Sequence, residues 1–542
     1  MTSSSAPTPV ATIDHVSFWY GADPAQRSTY YSPATPETAS PESAHTLHEG
    51  SSSPRSDAPT LNAITLDIAP GTVTLLCGAS GSGKTSALQL LNGLVPHFHH
   101  GTITGAVRVS DLDIGSADIG TCGEVSATVF QNPKTQFFTS AVRSELAFRM
   151  ENHGVPQEAM NASVKSTAEE SGIGYLLERQ LKQMSGGELQ KVACAQAISA
   201  HTPLLLFDEP TSNLSVEAIE DFTAMLTRLK HQGRTIVIAE HRLYFLRGLI
   251  DQAVLLEGGR IVKRMSGQSF FSQSDDERRK AGLRTLFRPS LKSRTTQQGA
   301  GSSISTTARE STGLRLEHVH FSYDSKPILD IDHAEFPKGS ISALVGANGA
   351  GKSTLARLIC GLLKEDKHSS ITFDGKAVSP KQRTAISYIV MQDVHRQLFA
   401  DSVKAEVTLG LKDADRAGSD STRVLKELDL DAYASRHPLS LSGGQKQRLV
   451  IASAIVCDKR VYVFDEPTSG VDYRHLTAIS ERLRALASQG AVVIVITHDI
   501  ELLESCADRI VRLHSLREDG IAGGDGEPQL STETVARPHC DQ

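Results

Sequence analysis

Aromatic residues are scarce, at 5% of 542 residues, and only one of them is a tryptophan. Cysteines number seven, at 77, 122, 194, 360, 457, 506 and 540, an odd and scattered set without a Cys-x-x-Cys pair. That spacing argues against a disulfide framework or a structural zinc site and fits a reducing cytosol. No apolar run approaches the roughly 18–20 residues needed to span a bilayer. The opening Met-Thr-Ser-Ser-Ser-Ala-Pro lacks the charged and apolar regions of a secretory signal. Positive charge is not in excess either: 55 Lys+Arg against 62 Asp+Glu leave a net −7, which argues against a chain built to coat nucleic acid. What is present is enough to fold. Hydrophobic residues make up 39%, and the 42 glycines bring the total to about 47%, inside the range of folded soluble proteins. The length is about three to four times that of a usual domain, so more than one is expected.

The chain repeats itself. Gly-Ala-Ser-Gly-Ser-Gly-Lys-Thr (78–85) returns as Gly-Ala-Asn-Gly-Ala-Gly-Lys-Ser (346–353), and Phe-Asp-Glu-Pro-Thr-Ser (207–212) returns unchanged at 464–469. Ser185 and Ser442, Asp208 and Asp465, and His241 and His498 are each 257 residues apart, so this half of the repeat aligns without a gap. Upstream the copies differ: Tyr20 precedes Lys84 by 64 residues, whereas Tyr323 precedes Lys352 by 29. The additional length falls in a Ser-, Pro-, Thr- and Ala-rich stretch at about 21–58, read as a disordered insertion. The domains expected are a first copy over 1–264, a flexible linker over 265–312, a second copy over 313–515 and a loose tail over 516–542. The linker composition is Ser-, Thr- and Gly-rich. Its basic residues Arg278, Arg279, Lys280, Arg284 and Arg288 read first as solvated charges, with a handle for anionic lipid or RNA as the alternative. Short β-branched runs at 72–77, 204–207, 235–239, 342–345, 461–464 and 492–497 read as buried strands. Each leads through a loop to a helical pattern, which predicts a mainly parallel, doubly wound α/β core in each copy.

A strand, then Gly-x-x-x-x-Gly-Lys-[Ser/Thr], then a helix is a phosphate-binding loop. In the first copy it comprises Gly78, Ala79, Ser80, Gly81, Ser82, Gly83, Lys84 and Thr85. In the second it comprises Gly346, Ala347, Asn348, Gly349, Ala350, Gly351, Lys352 and Ser353. The glycines turn backbone N–H groups inward and the helix adds its positive end. Lys84 and Lys352 would neutralise phosphate oxygens, and the Thr85 and Ser353 hydroxyls suit Mg²⁺. Asp208 and Asp465, at strand ends, suit the same ion through water. Glu209 and Glu466 are placed to polarise a water as general bases, and His241 and His498 to hold that water in register. Ser185, Gly186 and Gly187, and Ser442, Gly443 and Gly444, open helices whose bare N–H groups favour an anion. Each copy already holds a phosphate loop, so head-to-tail pairing is expected, each Ser-Gly-Gly capping the nucleotide on the other copy.

Taken together these motifs resemble those of the ATP-binding-cassette (ABC) ATPases, and the whole chain looks like two such domains in tandem, with the insertion, linker and termini outside. The resemblance implies two P-loop NTPase cassettes, each with a mainly parallel sheet, a helical subdomain and an N-terminal antiparallel β part. It implies ATP and Mg²⁺ as ligands, and adenine stacking by Tyr20 and Tyr323. Val-Phe-Gln-Asn-Pro-Lys-Thr-Gln-Phe-Phe (129–138), Val-Met-Gln-Asp-Val-His-Arg-Gln-Leu-Phe (390–399) and Ala-Glu-His-Arg-Leu (239–243) are similar to segments of energy-coupling-factor transporter ATPases. In that reading Gln131 and Gln392 contact Mg²⁺ and the water. Phe137, Phe138, Leu398 and Phe399 line a groove for a transmembrane coupling protein, ordinary core packing being the alternative. A separate substrate-binding membrane protein would select a vitamin, vitamin precursor or metal ion, at the cytoplasmic face of the membrane. A soluble cassette pair acting on ribosomes or nucleic acid, or the ATPase of another importer class, is the alternative function. Two departures stand out: Ser215 replaces the aspartate expected where the second copy has Asp472, and Met184 and Glu188 alter the first Ser-Gly-Gly surroundings. The two sites are therefore expected to differ in rate. His97, His99 and His100 read as a surface loop rather than a metal site, and Cys77 and Cys360 as small buried apolar residues.

Overall fold

The structure, a computed structural model, describes residues 8–21, 58–212, 214–289, 313–324, 326–411, 414–516 and 529–534. The insertion expected at 21–58 lies almost wholly outside these residues.

Each copy is built on a six-stranded sheet. In the first, the order is Arg260–Ser266, Gln252–Glu257, Val73–Cys77, Thr235–Ala239, Leu204–Asp208 and Ser126–Val129, all parallel except the 252–266 hairpin. In the second it is Ser387–Val390, Val461–Asp465, Val492–Ile496, Ser340–Val345, Arg509–Leu513 and Leu530–Thr534, the last antiparallel. The central strands read as continuous apolar runs because both faces are covered. Leu205, Phe207, Ile236 and Ile238 pack toward helix Val216–His231, while Leu204, Leu206, Val237 and Ala239 pack toward helix Lys84–Leu91. A four-stranded antiparallel sheet flanks each core, Leu61–Ile68 with Ala11–Tyr20, Gly101–Val109 and Leu112–Asp113 in the first copy. Three helices form the helical subdomain: Val142–Asn152, Gln157–Ser171 and Gly186–Ser199, matched by Val403–Thr408, Ala414–Glu427 and Gly443–Val456.

Two segments differ from the sequence expectation. The first part of the presumed flexible linker is folded, as helices Gly267–Phe271 and Asp275–Lys280 followed by a docked stretch to 289. Its Phe270, Phe271, Leu283 and Leu286 join the core of the first copy. Its polar composition concealed four well-spaced apolar anchors. Arg278 and Arg284, read as solvated charges, are buried in ion pairs. In the tail, Leu530–Thr534 adds an antiparallel strand to the second sheet.

Candidate active sites

The phosphate loop follows Val73–Cys77, Asp208 ends the strand two places away, and His241 follows the strand between them. All three therefore meet at the carboxyl edge of the sheet, where ligands bind in open α/β folds. Gly78 has φ 141°, and a Cβ there would meet the Leu256 carbonyl at 2.2 Å; Gly346 stands in the same relation to Leu513. Only glycine fits this approach.

The Lys84 ammonium donates to the Gly78 and Ala79 carbonyls at 3.1 and 3.0 Å, and Lys352 to those of Gly346 and Ala347 at 2.7 and 2.9 Å. Thr85 Oγ1 donates to Asp208 at 3.1 Å, and Ser353 Oγ to Asp465 at 2.8 Å. One hydroxyl and one carboxylate at this distance fit Mg²⁺, which takes few protein ligands beside phosphate oxygens and water. The Ser80 and Ser82 hydroxyls are buried without a partner in the loop, as expected of a cradle built for an anion.

Glu209 and Glu466 share an uncommon geometry, each with φ near 50° directly after its strand. A left-handed glutamate repeated in both copies is strain retained at a site. Burial raises both carboxyls to about 7, with Lys84 opposing the shift at Glu209 and Asp465 reinforcing it at Glu466. Burial likewise raises Asp208 to about 7, helped by Glu209. The imidazoles move the other way: burial first, and then the lysine of the same site, lower His241 to about 3 and His498 to about 4. Both are neutral near pH 7, able to donate from one nitrogen and accept at the other.

The copies meet across these sites. Asp472 Oδ2 accepts from the Ser80 backbone N–H at 2.6 Å. A methyl on Gly470 would stand 2.7 Å from Glu209 Oε2, and one on Gly443 3.3 Å from Gln131 Oε1. The Ser442-Gly443-Gly444 helix start is thus brought to the first site, capped by its own Ser442 and Gln445 box. Gln131 donates to Glu209 at 2.6 Å, and His241 Nε2 lies 3.4 Å from the same carboxylate.

The second site is looser. His498 Nε2 stands 4.0 Å from Glu466, and the exposed Gln392 makes no hydrogen bond to Glu466 among the described residues; Thr497 Oγ1 holds that carboxylate at 2.9 Å. Ser185 forms a capping box with Glu188, which also pairs with Arg179 at 2.5 Å. Ser215 caps helix Val216–His231 through Ala218 N–H. Ala347, Asn348 and Gly349 are accordingly exposed.

Tyr20 is half-exposed beside the first loop, its hydroxyl bonded to Ser86 and Gln89; Tyr323 is similarly exposed. Of the four groove candidates, only Phe138 and Phe399 are exposed, at 74% and 76%. Phe137 and Leu398 pack into the core instead, because the loop turns the alternate side chain inward. Sequence reasoning missed what holds this loop: the buried carboxylate of Glu145 takes the N–H groups of Phe138 and Thr139, and Glu406 those of Phe399 and Ala400. A buried acid at equal distance from both phenylalanines was the available signal. His97 Nε2 bonds the Ile114 carbonyl, and His99 meets Tyr20 edge-on. Cys77 and Cys360 are buried and their thiols are pushed up to about 12.

The ABC transporter family model matches residues 61–212 and 329–469. An ABC transporter ATP-binding protein of Treponema denticola is 40% identical over 454 residues, covering 83% of this chain and 91% of that protein. One from Clostridium perfringens is 30% identical, covering 85% and 87%. Among solved structures, an archaeal ribosome recycling factor in complex with a ribosomal stalk protein aligns with TM-score 0.54 over 88% of both chains at 21% identity, a likeness of fold.

Proposed function

The chain belongs to the ABC transporter family as an ATP-binding protein with two cassettes in one polypeptide, and from that premise we propose that it is the ATP-hydrolysing energy-coupling subunit of a membrane importer. The observation that carries this reading is the pair of exposed phenylalanines. Phe138 and Phe399 each lie seven residues after Gln131 and Gln392, on loops held open by a buried glutamate. An exposed ring on a loop built to present it suits a partner's apolar helix. In the first copy its place directly downstream of Gln131, which donates to Glu209, couples nucleotide state to that contact.

Within each site the backbone cradle and Lys84 or Lys352 hold the phosphates, and Tyr20 or Tyr323 supports the base. Thr85 with Asp208, and Ser353 with Asp465, would hold Mg²⁺, which would neutralise phosphate charge. Glu209 and Glu466 polarise the attacking water, and His241 and His498 orient it. Gln131 and Gln392 relay the state of the site, and the Ser185 and Ser442 helix starts complete the opposite pocket. Closure of the two copies on ATP, followed by hydrolysis, drives a transmembrane coupling protein, while a separate membrane protein selects a vitamin, vitamin precursor or metal ion. The chain then works at the cytoplasmic membrane face. Mild-detergent purification of the full chain from its own cells tests this: a small apolar membrane subunit is the expected companion, and ribosomes in its place would replace the reading.

A further inference from the structure

The folded extension 267–289 belongs to the first copy by packing yet touches the second copy at several residues. The Gly282 carbonyl accepts from Tyr473 N–H at 3.3 Å, and the Arg278 guanidinium lies 5.0 Å from the Tyr473 ring centre. Tyr473 directly follows Asp472, the residue that reaches the first phosphate loop. Further on, Arg284 donates through Nη2 to Asp499 at 2.5 Å and through Nε to Glu501 at 2.9 Å, with Thr285 N–H on Glu501 as well. Arg284 and Asp499 are each only 4% exposed.

Asp499 follows His498 and is wired to the second site. Its Oδ2 accepts the Thr468 hydroxyl at 2.6 Å, and its N–H donates to Thr497 Oγ1 at 3.0 Å. Thr497 in turn donates to Glu466 at 2.9 Å, and His498 N–H reaches the same carboxylate at 3.2 Å. A continuous path of hydrogen bonds therefore runs from Arg284 of the extension to the Glu466 carboxylate. Among the described residues the first copy has no such path. Arg242 stands where Asp499 would be, and Glu240 of the same copy accepts from Thr211, His241 N–H and Arg242 N–H. Residues 240–242 are thus held by their own copy, whereas 497–501 are held by their own copy and also from the extension of the other. Among the described residues Ser215 makes no hydrogen bond to the second phosphate loop like the one Asp472 makes to the first.

We propose that Arg284 is a positioning residue for ATP hydrolysis at the Lys352 site: by fixing Asp499 from the opposite copy it sets His498 and Glu466 in register. This rests on Glu466 acting as base there. A buried guanidinium that bridges two carboxylates, one bond to Asp499 and one to Glu501, is directional, and removing it leaves the buried Asp499 without its cation. The effect is confined to one of two sites, which a general loss of stability would not be.

The test is single-turnover cleavage by the full chain, preloaded with ATP and started with Mg²⁺. In Arg284→Gln, half of the bound ATP is expected to be cleaved at the wild-type rate and half about tenfold more slowly. Arg284→Lys keeps the charge but not the fork, and should slow the same half by less; it is read alone if the Gln variant does not fold. In a Glu466→Gln background, adding Arg284→Gln should move the remaining half by less than twofold. Equal slowing of both halves, or no slowing, overturns the proposal. If Glu466→Gln itself silences neither half, the base assignment falls first and the proposal with it.

Discussion

Ser469 donates its hydroxyl to the backbone carbonyl of Ser212 across 3.1 Å, and the two serines occupy the same position in the two copies. A contact between equivalent positions marks where the pseudo-twofold axis passes. Away from that contact the two copies depart from exact symmetry.

Asp472 and Ser215 give the first measure of it. Asp472 uses one oxygen to cap its own helix at His475 N–H, 2.9 Å, and the other to reach Ser80 N–H. Ser215 has a single oxygen, and Ala218 N–H takes it at 3.3 Å. Asp472→Ser should therefore keep the cap and lose the reach, slowing the Lys84 site about tenfold, as the loss of one charge-assisted hydrogen bond implies. Ser215→Asp adds the second oxygen that Asp472 uses on Ser80, whose equivalent is Asn348, and is expected to raise turnover at the Lys352 site. Rates from each site in single-turnover assays check both; equal changes at the two sites would refute the assignment.

Glu209 and Glu466 lie at the end of apolar strands, 3.4 and 4.0 Å from their histidines. Replacing both by Gln keeps shape and hydrogen bonding but removes the proton acceptor. Hydrolysis should fall by roughly 10²–10⁴-fold while ATP binding is retained. Equilibrium binding beside phosphate release measures the two separately, and wild-type turnover would exclude these residues as bases.

The same carboxylates carry a pH signature in the nucleotide-free chain. Folding raises the Glu209 value from 4.5 to about 7, so the folded state binds its proton more tightly than the unfolded state. Its contribution to stability is complete below pH 4.5 and is lost as pH rises through 7. His241 opposes this at lower pH: its folded value of about 3 makes stability rise up to pH 6.5. Comparing Glu209→Gln with wild type cancels the histidine term. The substitution is expected to stabilise the chain by about 1–3 kcal/mol more at pH 8 than at pH 5. Denaturant unfolding at the two pH values reads the difference, and a substitution effect independent of pH would contradict the burial argument.

How much of this was legible beforehand follows from the range of each interaction. The phosphate loops, Asp208, Asp465 and the strand-end glutamates are contiguous motifs, so local spacing located them. Buried strands such as Leu204–Asp208 and Thr235–Ala239 announce themselves as unbroken apolar runs. The missed features depend on partners far away in the chain. Arg284 meets Asp499 215 positions later, and nothing around Arg284 distinguishes it from a solvated linker charge. Leu530–Thr534 pairs with a strand beyond a glycine-rich stretch, where composition points to a loose tail. At Phe137 and Leu398 the pattern gave the apolar pair, while the turn that buries one member is fixed by Glu145 and Glu406.

Those two acids make the partner surface testable without touching the nucleotide. Glu145, 1% exposed, takes Phe138 N–H, Thr139 N–H and the Thr139 hydroxyl, and Gln196 bonds its other oxygen at 2.8 Å. The loop is therefore preset, and the Phe138 ring, stacked on Phe148 at 5.1 Å, stands in solvent without further rearrangement. Covering such a ring with a partner helix contributes about 1.5–3 kcal/mol, or roughly 10–100-fold in affinity for each copy. Phe138→Ser and Phe399→Ser together should abolish capture of the membrane subunit from detergent-solubilised membranes, while ATPase activity of the free chain stays within twofold. Retained capture would show that the rings do not seat the partner, and a parallel loss of free ATPase activity would show that they serve the fold of the glutamine loops instead.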